Sequence, residues 1–62
     1  MKTAYDYGRE TAEWRKQNDP DSAVEQTNLS DDIPSEDYAT MKRDGLTDID
    51  ERDYWNGFNS AL

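Results

Sequence analysis

The chain has 62 residues, with 15 Asp and Glu against 7 Lys and Arg, no histidine, no cysteine and a net charge of −8 at pH 7. Without cysteine there is no disulfide and no thiolate metal site, and without histidine the commonest general base and neutral metal ligand are missing. The length fits one small acidic helical domain spanning 1–62, near the lower limit for folding alone.

Hydrophobic residues make up 32% of the chain and charged residues 35%, a balance close to that of disordered segments. Two Trp, four Tyr and one Phe pull it back toward a folded domain, because each ring can bury a large area. No apolar run reaches the length of a membrane span and no signal peptide is visible. A cytoplasmic protein is therefore expected, with no membrane partner.

Residues 3 to 17 read as a first helix. Thr3 can cap it, and Ala4, Tyr7, Gly8, Thr11, Ala12 and Trp14 recur at roughly helical spacing. Asp6 and Glu10 lie early, Arg15 and Lys16 late, as the helix dipole prefers. Pro20 forces Asp19 out of the α region and ends the helix. Ser22 and Glu25 then match a capping box, which predicts a second, short helix. The run Asn28 to Asp32 reads as a turn, and Pro34 makes Ile33 extended.

Ser35 is expected to cap a helix over 36 to 43. Its end carries a full Schellman signature: Gly45 as the left-handed residue, with Leu46 placed to touch Met41. The last helix has two competing starts. Asp48 with Glu51 resembles a capping box. Asp50 as cap makes Ile49 and Tyr54 a hydrophobic staple. Tyr54, Trp55, Phe58, Ala61 and Leu62 form one stripe, and Ile49 falls opposite it, which favours Asp50. Nothing alternates with period two, so no strand is expected. The fold class is all-α: a small bundle of three to four short helices, with the N- and C-terminal helices packed together.

The two ends of the chain also share a pattern. Tyr5-x-x-Gly8-x-x-Thr11-Ala12 and Tyr54-x-x-Gly57-x-x-Ser60-Ala61 are the same motif. A glycine inside a helix costs about 1 kcal/mol against alanine. A marginal domain keeps two of them if they let backbones approach closely, which predicts that the first and last helices cross at Gly8 and Gly57. Glycine-and-aromatic helices at this spacing resemble those of bacterial ribosome-hibernation factors of similar length. Those factors are basic, as binders of ribosomal RNA must be, and this chain is acidic, so their function does not carry over.

Asp44-Gly45 with Asp48, Asp50 and Glu51 resembles part of a calcium loop. With Glu51 in the twelfth position, however, the first and third fall on Thr40 and Lys42, where acids are needed. No metal and no cofactor are expected. Catalysis is not expected either, since a carboxylate pair with separated pKa values needs an enclosed pocket, for which so short a chain has little interior.

Between residues 17 and 41 there is no Lys or Arg, and the window holds Asp19, Asp21, Glu25, Asp31, Asp32, Glu36 and Asp37. Such a surface repels nucleic acid and attracts basic grooves. These seven acids are the expected partner-binding residues, standing in for phosphate oxygens on the basic surface of a nucleic-acid-handling protein. Within them Asp31, Asp32, Glu36 and Asp37 flank Ile33-Pro34-Ser35 and are expected to lie close together. In size, charge and composition the chain resembles small phage-encoded inhibitors, among them nucleic-acid mimics and some anti-CRISPR proteins. That resemblance implies a non-enzymatic inhibitor working in the host cytoplasm. The alternative is a small homo-oligomeric structural or regulatory protein with an aromatic interface. Trp55 and Phe58 are expected in the core. Trp14, beside Arg15 and Lys16, is the aromatic expected to be partly exposed.

Overall fold

Thr3 starts the first helix by a reciprocal cap: its hydroxyl accepts from the Asp6 amide and the Asp6 carboxylate accepts from the Thr3 amide. The computed structural model describes residues 2–26 and 33–62. Among them are three α-helices, α1 (Ala4–Asn18), α2 (Ser35–Arg43) and α3 (Glu51–Ser60), with a 3-10 turn at Pro20–Ser22 and no strand. α1 and α3 pack together, as the all-α reading requires.

Their contact is a backbone crossing at the two glycines. A Cβ on Gly8 would lie 2.9 Å from Phe58 N and closer still to the Tyr54 carbonyl. A Cβ on Gly57 would lie 2.8 Å from the Tyr5 carbonyl carbon and closer to its oxygen. Each glycine therefore rests on the carbonyl of the tyrosine three residues before the other glycine. The hydroxyls repeat the relation. Tyr5 Oη donates to Ser60 Oγ at 3.0 Å, while Tyr54 Oη meets Thr11 Oγ1 at 3.2 Å. The repeated motif is thus one self-complementary helix face used twice, with approximate two-fold symmetry in the contacts it makes.

Around this crossing lie the buried apolar residues Ala4, Ala12, Ile33, Met41, Tyr54, Trp55 and Phe58. Tyr54, Phe58 and Met41 are fully enclosed. Trp55 stands edge-on to Tyr54 (centroids 4.8 Å apart) and to Phe58 (5.4 Å), a geometry that adds about 0.5–1.5 kcal/mol per pair to the burial itself. On α1 the buried stripe is Ala4, Gly8 and Ala12. Arg15 continues it, its guanidinium 5.1 Å from the Phe58 ring centre. Trp14 points away.

α2 ends as expected. Leu46 N donates to Met41 O (3.0 Å), Gly45 N donates to Lys42 O (3.1 Å), and Gly45 has φ of 96°. Open space surrounds Gly45, so only backbone strain opposes a side chain there. Gly45→Ala should lower stability by about 1–2 kcal/mol, the cost of a left-handed residue with a Cβ, read as a shift in urea midpoint at constant slope. Of the two starts proposed for the last helix, Asp50 is the cap, accepting from Arg52 N (3.0 Å) and Asp53 N (3.4 Å). Ile49 packs on the core that holds Tyr54, as the staple requires.

Two local expectations are corrected. No α-helix starts at Ser22: residues 23–26 are non-helical, and Ser22 Oγ donates back to Asp19 O at 2.9 Å instead of capping forward. The stronger competitor is Asn59 on α3. Its amide accepts from Gln26 N (2.8 Å) and donates to Gln26 O (3.0 Å), taking both backbone groups that a helix would use. Ser35 is the first residue of α2 and not its cap, because Tyr38 N already donates to Pro34 O at 3.0 Å. The turn predicted for Asn28 to Asp32 lies outside the described residues.

Candidate acidic interaction surface

The ends of the helices put Asp19, Asp21, Glu25 and Glu36 on the outside. Asp19 closes α1, its amide donating to Arg15 O at 2.7 Å while its side chain is exposed. Asp21 sits in the 3-10 turn and Glu25 in the segment clamped by Asn59, both exposed. Glu36 and Asp37 lie in the first turn of α2, where the dipole favours acids. Asp31 and Asp32 lie outside the described residues, so the expected cluster of Asp31, Asp32, Glu36 and Asp37 is described only in its second half.

Few of these charges are neutralised. Among the described residues the one ion pair is Lys2–Glu10, at 2.8 Å and half exposed. That contact, led by the hydrogen bond to Glu10, raises the Lys2 pKa. Asp19, Asp21, Glu25 and Glu36 have no such partner. Lys16 is engaged elsewhere, donating to the Ala61 carbonyl at 2.8 Å, where a cation suits the end of α3.

Asp37 is different from the other acids. It is half-buried, and its carboxylate accepts from the Tyr54 hydroxyl. An ionised carboxylate can only accept, so the single Tyr54 proton goes to Asp37, and the Thr11 hydroxyl is left to donate toward the Tyr54 oxygen or the Tyr7 carbonyl (3.0 Å). Burial first, and then the Asp37 hydrogen bond, push the Tyr54 pKa far above the usual phenol range. Asp44 does the same for Tyr7, accepting from its hydroxyl at 2.9 Å, and the Tyr7 pKa is raised by burial and by that bond.

α1 and α2 leave a cleft of about 420 Å³ between them, lined by Glu10, Trp14 and the Lys2 that pairs with Glu10 on one side and by Glu36, Asp37, Thr40 and Asp44 on the other. Trp14 is 61% exposed at its rim, as its place in the sequence implied. Glu36, and the acceptor sites that Asp37 and Asp44 keep beyond their phenol bonds, lie on the same cleft as an open indole and suit a guanidinium or ammonium group, while Lys2, paired with Glu10, already supplies a cation at the α1 side. Asp19, Asp21 and Glu25 do not line this cleft; they lie past the end of α1. Glu10, Thr40 and Asp44 were missed as site residues. The helical spacings Glu10 to Trp14 and Glu36 to Thr40 were readable, but nothing local said that the two faces oppose each other.

Asp44-Gly45 belongs to the Schellman turn and Asp50 to the α3 cap, which accounts for the partial likeness to a calcium loop. No helix among the described residues is long and apolar enough to cross a membrane. No protein-family model, no curated protein and no solved structure matches the chain.

Proposed function

We propose that the protein is a non-enzymatic acidic binding protein that occupies a basic, nucleic-acid-binding surface of a partner protein and blocks it. The observation that carries this reading is the unneutralised acid surface: Asp19, Asp21, Glu25 and Glu36 are exposed and make no ion pair among the described residues, on a chain of net charge −8. A fixed surface of that sign speeds encounter with a basic groove and disfavours nucleic acid as a direct ligand. The end of α1, the 3-10 turn and the Asn59 clamp fix the backbone that carries Asp19, Asp21 and Glu25, which lowers the ordering cost of binding there.

The alternative is a homo-oligomer with an aromatic interface, which the exposure of Trp14 (61%), Val24 (55%) and Tyr38 (42%) favours. Salt separates the two. Raising salt from about 0.1 M to about 1 M shortens the screening length from about 10 Å to about 3 Å. An acid-mediated complex isolated from host lysate should dissociate over that range, whereas an aromatic interface should hold. Changing Asp19, Asp21, Glu25 and Glu36 together to Lys adds two charge units per site and takes the net charge from −8 to 0. Asp37 is kept because it holds Tyr54. The expected result is loss of capture with helical circular dichroism unchanged. Capture that survives both the salt and the fourfold reversal would sink the proposal. If Trp14→Ala then abolished self-association, the oligomer reading would stand in its place.

A further inference from the structure

α1 and α3 meet backbone to backbone, but α2 is held in another way. No Cα of α2 lies within 8 Å of an α3 Cα. Met41 is the one buried side chain of α2, and Ser35, Glu36, Tyr38, Ala39, Lys42 and Arg43 are all exposed. Among the described residues, the apolar anchors besides Met41 are Ile33 before the helix and Leu46 after it. Among the described residues, two phenol–carboxylate hydrogen bonds add to the attachment, Tyr54 to Asp37 near its start and Tyr7 to Asp44 at its end. Both phenols belong to the α1/α3 pair.

We propose that α2 is a separately opening arm, latched to a stable α1/α3 pair by the Tyr54–Asp37 and Tyr7–Asp44 hydrogen bonds. A nine-residue helix is marginal by itself, so the arm loses its helix when the latches release and Met41 leaves the core. The crossing at Gly8 and Gly57 does not pass through α2 and survives the opening. Glu36 and Asp37 ride on the arm. On the reading above, a partner that engages them therefore acts on the arm's closed and open populations. The opening itself does not depend on any partner.

Amide hydrogen exchange on the full chain, followed by NMR, tests this without a ligand. In the unaltered protein the helical amides of residues 39 to 43 and the Leu46 amide should exchange at least about tenfold faster than those at the α1/α3 crossing, as expected of a unit that opens below the global unfolding free energy. Asp37→Ala should speed the α2 amides by about tenfold more, the effect of losing one charge-assisted bond, whereas Tyr5→Phe, which removes the Tyr5–Ser60 bond at the crossing and touches neither latch, should speed the crossing amides and leave the α2 amides unchanged. Glu36→Ala is the control, since it removes an acid from the same turn without touching a latch. Equal exchange rates in all three helices of the unaltered protein would overturn the proposal. So would a Tyr5→Phe variant that accelerates α2 as much as the crossing, or a Glu36→Ala variant that accelerates α2 as much as Asp37→Ala.

Discussion

Gly8→Ala and Gly57→Ala are each expected to destabilise the protein by at least about 2–3 kcal/mol, although alanine is the better helix former by about 1 kcal/mol. The added methyl would enter the carbonyl of Tyr54 in one case and of Tyr5 in the other. Both obstacles are backbone, so no side chain can rotate out of the way, and the helices must move apart. Separation would also pull Tyr54 Oη from Thr11 and Tyr5 Oη from Ser60. Natural domains hold about 0.05–0.15 kcal/mol of net stability per residue, which gives about 3–9 kcal/mol for 62 residues. One methyl group therefore removes a large share of the whole. Thermal unfolding followed by far-ultraviolet circular dichroism should show midpoints lower by more than about 10 °C. Arg9→Ala, at an exposed position of the same helix, should stay close to the parent. A midpoint at or above the parent value for either glycine variant would mean that the helices do not cross where described.

That crossing was legible because its signals are local and repeated. A glycine four residues before an alanine within a helical pattern has one main use, and it occurs at both ends of the chain. The Schellman turn at Gly45 and the cap at Asp50 were legible for the same reason: backbone stereochemistry and neighbouring side chains decide them. The missing helix at Ser22 marks the limit of such signals. Ser22 and Glu25 satisfy a local pattern, but the Asn59 amide, 33 residues from Gln26, captures the backbone first. The task of Asp37 was hidden in a similar way. An acid in the first turn of a helix looks like ordinary dipole chemistry, and only the fold places the Tyr54 hydroxyl against it. Composition revealed the acidic surface. The cleft needed the opposition of α1 and α2, which two separate helical patterns do not encode.

Tyr54→Phe is expected to lower stability by about 1–3 kcal/mol near neutral pH, because it leaves the half-buried Asp37 carboxylate without its donor while the ring remains. Tyr54→Ala, which also empties a fully buried site, should cost about 3–5 kcal/mol and approach complete unfolding. The pH profile distinguishes the hydroxyl from the ring. In the unfolded chain the Tyr54 phenol titrates near its ordinary value of 10.0, whereas in the fold burial and the Asp37 carboxylate hold its proton to much higher pH. Above pH 10 the unfolded state therefore binds fewer protons than the folded state, and stability falls as pH rises. Below pH 10 this contribution is fully present and constant. Tyr7 is shifted in the same direction and adds to the slope. Urea unfolding from about pH 8 to about pH 11.5 should show a clear decline in the parent beginning near the phenol range, and a shallower one in Tyr54→Phe. Phenolate absorbance should show one fewer late-titrating tyrosine in the folded variant. An unchanged slope in Tyr54→Phe would mean that the Tyr54 proton is not held by the fold, and the Thr11–Tyr54–Asp37 chain would lose its role in joining α2 to the α1/α3 pair.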